Sequence, residues 1–127
     1  MLLEDDELYL KEKGYSYECR QDPGGQVYVV IKDYTLPPGY TGDKVDLLVI
    51  IPAGYPTAQM DMFWVYPEIR FYHNNSYPNA ADCFEDRIGL RWQRFSRHYS
   101  PKYPWRPGVD SLSSHLIMVQ KSLEEKR

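Results

Sequence analysis

The chain has 127 residues and a mass of 15.0 kDa, room for a single domain spanning residues 1–127. Lys and Arg total 15 and Asp and Glu 18, a net charge of −3, which excludes the chain-wide positive field of a nucleic-acid binder while leaving local segregation open. The longest apolar run, Leu47 to Ile51, is far too short to span a membrane, and the acidic start lacks the apolar core of a secretory leader. Two distant cysteines, Cys19 and Cys83, make no disulfide framework, so a reducing cytoplasm is the expected compartment.

Residues 3–13 predict a short helix. Leu3 and Leu10 lie seven apart, acidic residues fill the first turn, Lys11 and Lys13 the last, and Gly14 stops it. Tyr15 to Gln21 alternates aromatic and polar residues, as a half-buried strand does, and puts Cys19 on the face of Tyr15 and Tyr17. Asp22-Pro-Gly-Gly25 is a turn, and 26–34 resumes as a strand with Val27, Val29 and Ile31 on one face. Lys44 to Ile51 is apolar on both faces, which predicts a central strand ended by Pro52. A fourth strand runs from Met60 to Val65. Residues 67–108, with five prolines and little periodicity, read as one long functional loop. Asp110 then caps a helix carrying Leu112, Leu116, Val119 and Leu123 on one stripe. The expected fold is α+β: an antiparallel four-strand meander, an N-terminal helix, a long loop and a C-terminal helix.

The reactive side chains concentrate in that loop. Cys83 is flanked by Asp82, Glu85 and Asp86, which argues against a place deep in a core. Those carboxylates oppose a thiolate, so the thiol suits exchange of an already activated acyl group rather than attack on an arbitrary electrophile. His73, Asp82, Cys83 and His98 lack the paired spacing of a zinc site, and no metal or other cofactor is expected.

His73-Asn74-Asn75, then seven residues, then Cys83, resembles the His-Pro-Asn-x7-Cys pattern of ubiquitin-conjugating enzymes, with Asn74 in place of the proline. Ile51-Pro-Ala-Gly-Tyr-Pro56 is similar to that family's Tyr-Pro segment, and Trp105-Arg-Pro107 to its W-x-P before the second helix. Leu36-Pro-Pro-Gly-Tyr40, Asp61-Met-Phe-Trp64, Trp92 to His98 and Trp105 to Asp110 resemble a bacterial branch, the prokaryotic family E. The resemblance covers nearly the whole chain. It implies a ubiquitin-conjugating fold and a transferase that takes a ubiquitin-like protein from an activating enzyme as a thioester on Cys83. An acceptor protein's amine then attacks that carbonyl, in operons linked to phage defence. It further implies that Asn75 donates to the oxyanion or braces the loop, and that His73 holds the loop. Asp82, Glu85 or Asp86 would orient or deprotonate the incoming lysine. His98 reads either as a proton carrier near neutral pH or as a loop histidine stacked among Trp92, Phe95 and Tyr99; His115, beside the apolar stripe, reads as structural.

Residues 87–106 carry Arg87, Arg91, Arg94, Arg97, Lys102 and Arg106 without an acidic residue, interleaved with Trp92, Phe95, Tyr99, Tyr103 and Trp105. Such a set grips phosphates and bases, covers an acidic protein, or stacks on itself. The acidic balance elsewhere ranks nucleic acid last. Arg91, Trp92, Arg94, Arg97 and Trp105 are thus expected at a partner surface. The competing function is a binding module that holds a ubiquitin-like protein or its activating enzyme with an idle cysteine.

Overall fold

A computed structural model describes residues 2–126. Helix α1 (Glu4–Glu12) leads into strands β1 (Ser16–Gln21), β2 (Val27–Thr35), β3 (Lys44–Ile51), β4 (Phe63–Tyr66), β5 (Cys83–Arg87) and β6 (Leu90–Phe95), and helix α2 (Leu112–Glu125) closes the chain. All strand pairs are antiparallel, in the order β1-β2-β3-β4-β6-β5. The α+β class, the meander and both helices are as the sequence predicts. The sheet, however, has six strands rather than four. The expected long loop contains a hairpin, β5–β6, whose second strand adds to β4 and whose first becomes the edge.

Two faces follow from the alternation of side chains. On one, Val27, Val29 and Ile31 of β2, Val45, Leu47, Val49 and Ile51 of β3, Phe63 and Val65 of β4 and Phe95 of β6 meet Leu10 of α1 and Leu112, Leu116, Val119 and Leu123 of α2. On the other, Val30, Leu48, Trp64 and Trp92 make a smaller cluster with Tyr28, Ile50, Met62 and Ile88 around them. β3 is buried on both faces, as its sequence requires. The hairpin tip bends over this second face: the Arg87 guanidinium lies 5.0 Å from the Trp64 ring and donates to the Tyr28 hydroxyl at 3.2 Å.

Local chemistry sets the ends. In the β1–β2 turn the Asp22 carboxylate accepts from the Gln26 amide at 2.9 Å. Gly25 stands at φ 86°, and a Cβ there would lie 3.3 Å from that of Ala53. The cap of α2 is Ser111, one residue later than expected. Asp110 instead accepts from the Arg106 amide at 2.7 Å, folding the segment before the helix. The carbonyl of Leu123, left over at the other end of α2, accepts from Tyr40 at 2.6 Å.

Tyr55 ties three pieces together. Its hydroxyl donates to the Asp6 carboxylate at 2.6 Å and accepts from the Leu112 amide at 2.8 Å, joining α1, the β3–β4 connection and the first turn of α2. Asp6 is buried beneath it, and that burial raises its carboxyl above the ordinary range against the lowering effect of the Tyr55 bond. Tyr55→Phe leaves both groups without this partner and should cost about 1–3 kcal/mol in urea unfolding, with the midpoint moved and the slope unchanged.

Candidate functional site

Cys83 opens the edge strand β5 and is exposed, as its acidic flanks predict. Register fixes its surroundings. Glu18, Val30, Leu48, Trp64, Arg94 and Cys83 form one row across all six strands, each directly opposite the next. The thiol therefore stands at the end of that row, on the face away from the helices. Its nearest cross-strand neighbour is Arg94, with Cβ atoms about 5 Å apart in such pairs.

Arg94 is not a free cation. It donates to Glu85 at 2.8 Å, and Glu85 also accepts from Arg87 at 3.1 Å and from the Trp64 indole at 2.9 Å. Burial raises the Glu85 carboxyl, but the bonds from Trp64, Arg87 and Arg94 outweigh it and hold it below the ordinary carboxylate range. A carboxylate so committed is a poor proton acceptor. Of the three acids near the thiol, Asp82 and Asp86 are the exposed ones.

The approach to Cys83 is pinned from β6 and the two residues that follow it. The guanidinium of Arg97 donates to the Asn79 carbonyl at 2.7 Å, the Ser96 amide to the Ala80 carbonyl at 3.1 Å, and the Gln93 side chain to the Ala81 carbonyl at 2.8 Å. Three successive carbonyls are thus held before the backbone reaches the cysteine. Gln93 is fully buried and also closes a two-way clamp with Ile69, accepting from its amide at 2.8 Å and donating to its carbonyl at 3.0 Å.

The His73-Asn74-Asn75 segment is a tight, exposed turn. The Asn74 carboxamide oxygen accepts from the Ser76 amide at 3.0 Å and the Ser76 hydroxyl at 2.8 Å, so the asparagine replacing the family's proline braces the turn itself. Asn75 adopts φ 57°, a left-handed conformation that asparagine tolerates better than most residues. Its amide donates to the Phe71 carbonyl at 2.8 Å and its carbonyl accepts from Arg70 at 3.2 Å. His73 stands outside, its ring tilted against Phe71, and among the described residues it makes none of the bracing hydrogen bonds expected of it. No hydrogen bond among the described residues joins the Asn75 side chain to Cys83. Arg70 instead donates to the Tyr77 hydroxyl at 2.8 Å and lies over the Tyr77 ring, which meets the edge of Phe84 beside the cysteine.

His98 is exposed, its Nδ1 2.8 Å from an Asp61 oxygen. Asp61 precedes β4, so this pair sits on one flank of β6 while Cys83 sits on the other; the structure does not bring His98 to the thiol. His115 is fully buried, with Nδ1 accepting from Tyr99 at 2.8 Å and Nε2 donating to the Met62 carbonyl at 2.9 Å.

Three of the five residues expected at a partner surface are interior. Trp92 fills the second cluster and donates to the Arg87 carbonyl, and Trp105 donates to the Pro56 carbonyl at 2.9 Å. Arg97 is buried too, its Nε donating to Ser122 at 2.7 Å. Aromatic bulk and a guanidinium surrounded by acceptors belong inside as readily as at an interface. Arg91 is exposed, and Arg94 is half-buried in its pair with Glu85. The sequence reading misses Gln93 and Arg70, whose roles lie in hydrogen bonds to distant backbone that no spacing announces.

The family model described as prokaryotic E2 family E matches residues 2–126. The searches of curated proteins and of solved structures found no match.

Proposed function

The chain belongs to the prokaryotic E2 family E, and from that premise we propose that it carries a bacterial ubiquitin-like protein as a thioester on Cys83 and passes it to an amine acceptor. The observation behind the proposal is an exposed thiol at the head of an edge strand, its backbone approach held by three carbonyl bonds. Precise placement of a nucleophile against an incoming carbonyl is what such bracing provides.

In the loading step the Cys83 sulfur attacks the thioester carbonyl that joins the ubiquitin-like protein to the activating enzyme. A new carbon–sulfur bond forms as the old one breaks, and the departing sulfur takes up the proton Cys83 releases. In the second step the acceptor amine attacks the same carbonyl, an amide forms, the nitrogen gives up a proton, and the Cys83 thiol is restored. Asp82, exposed and next to Cys83 in the chain, is the acid we assign to orient the acceptor ammonium and take that proton. The main-chain bonds of Asn75 and the Asx turn of Asn74 favour a bracing role for this segment over donation to the oxyanion. The setting we assign is an antiphage operon that supplies the activating enzyme and the ubiquitin-like protein.

Incubation with the neighbouring activating enzyme, ATP and the ubiquitin-like protein should give an adduct that thiols release. Cys83→Ser should convert it to an ester that thiols leave intact, and Cys83→Ala should abolish it. An adduct unaffected by Cys83→Ala removes this cysteine from the mechanism. Binding of both partners with no adduct at all leaves a module that holds them.

A further inference from the structure

We infer that two copies of this chain pair through strand β1, edge to edge and antiparallel, with Cys19 facing its own counterpart on the two-fold axis.

β1 ends the sheet on the side opposite β5 and pairs only with β2. The turn between them sets which of its main-chain groups are free. The Asp22 amide donates to the Gln26 carbonyl at 2.9 Å, and the register runs unbroken from Gln21 opposite Val27 to Ser16 opposite Lys32. Antiparallel ladders alternate, so Ser16, Glu18 and Arg20 turn their amides and carbonyls toward β2, while Tyr17, Cys19 and Gln21 turn theirs outward. Among the described residues no backbone hydrogen bond uses that outer set. An open row of this kind is a template for one more strand.

Charge and hydrogen bonding together select the occupant and its register. Two copies of β1 can set outward groups against outward groups with the axis at Glu18, Cys19 or Arg20. At Glu18, the pairing draws on the Tyr15 amide, already bonded to the Leu10 carbonyl at 3.2 Å, and sets glutamate against glutamate. At Arg20, it sets arginine against arginine and reaches Pro23, which has no amide hydrogen to give. At Cys19, all three outward residues of each copy bond, and Glu18 of each stands opposite Arg20 of the other. Both side chains are exposed on the face away from the helices, and among the described residues neither is in an ion pair. The edge is therefore complementary to itself, as a two-fold interface requires. On the helix side Tyr17 and Cys19, half-buried against the main core, gain cover, and Glu7 of α1, whose charge is felt at Cys19, is already neutralised by Lys11 at 2.8 Å. The pairing joins two six-stranded sheets. Cys83 lies five strands from Glu18 along one row, roughly 24 Å across the sheet, so both thiols stay open.

Sedimentation velocity on the full chain across a concentration series should show conversion from 15.0 kDa to twice that mass. Glu18→Arg alone and Arg20→Glu alone each set like charges opposite one another on both sides of the axis, and each should raise the dimer dissociation constant at least about tenfold. The double variant Glu18→Arg with Arg20→Glu restores unlike charges across the axis and should return the constant to that of the wild type. Circular dichroism should be the same for all four proteins, since both positions are exposed. Hydrogen exchange followed by NMR reads the edge directly. The Tyr17, Cys19 and Gln21 amides should slow as concentration rises, while those of Ser16, Glu18 and Arg20, already bonded to β2, should change far less. A chain that stays at 15.0 kDa throughout overturns the pairing. So does a dimer that the double variant fails to recover, or one in which the three outward amides exchange as they do in the monomer.

Discussion

Gln93→Leu should lower the free energy of unfolding by roughly 3 kcal/mol or more, because three buried backbone groups lose their partner at once. The side chain is fully buried, so no water takes its place at the Ile69 amide, the Ile69 carbonyl or the Ala81 carbonyl. Leucine fills nearly the same volume, and packing therefore contributes little to the loss. Against a typical total of about 5–15 kcal/mol the effect is large, a fall in melting temperature of roughly 10 °C for a domain of this size. The variant should also slow acylation of Cys83 by small thioesters at temperatures where it remains folded, since Ala81 is two residues from the sulfur and has lost its anchor. A stability loss under 1 kcal/mol would show that the clamp is replaceable; a normal acylation rate in the folded variant would show that it does not place the thiol.

The parts of this molecule legible in its sequence are those where one physical signal dominates. β3 is apolar at nearly every position and is the central strand; Asp22-Pro-Gly-Gly25 can only turn; and α2 shows its stripe plainly. Cys83 is exposed because three acids flank it, a reading that needs no fold. The β5–β6 hairpin is hidden for a specific reason. Its two-residue turn is Ile88-Gly89, both at positive φ, where the expected signature is Asn-Gly or Asp-Gly. A β-branched residue is disfavoured in that conformation, and Ile88 is held there by its place against the second apolar cluster, a tertiary cause. The alternation in β6 is masked as well: Trp92 and Phe95 serve different faces, and the core-facing position between them is the polar Gln93. Arg97 and Trp105 look like surface recognition residues until Ser122, Asn79 and Pro56 are seen to satisfy their polar atoms inside. The same blindness affects the site. The cysteine is readable, while the groups that hold it act across 12 to 25 residues of sequence through main-chain carbonyls and a serine hydroxyl.

Acid should weaken this fold between about pH 6.5 and 4, with His115 the principal cause. Burial disfavours the charged ring and, against the raising influence of the Met62 carbonyl and Asp61, pushes it down to about 4 from an ordinary value near 6.5. In the native state Nε2 donates to Met62 and Nδ1 accepts from Tyr99, so protonation at Nδ1 reverses that bond: the Tyr99 hydroxyl must turn to accept, and a charged ring is left in the interior. The sign follows directly. A folded-state value below the unfolded one means that the unfolded chain takes up the proton first, so the stability is whole above pH 6.5 and is lost progressively as pH falls through 4. A difference of this size corresponds to roughly 3 kcal/mol once both states are protonated. Asp6 works in the opposite direction, since burial raises its carboxyl and protonation there favours the fold as pH drops. Glu85 and Asp110, both held below their ordinary range, reinforce the acid loss, but under more acidic conditions than the histidine. Urea unfolding at pH 7.5 and 4.5 separates these contributions. Wild-type protein should lose most of the histidine's contribution over that interval, whereas His115→Asn, less stable at pH 7.5, should show a much flatter dependence. If the two proteins lose stability in parallel, the buried imidazole is not the acid-sensitive group, and the carboxylates around Arg87, Arg94 and Arg106 become the place to look.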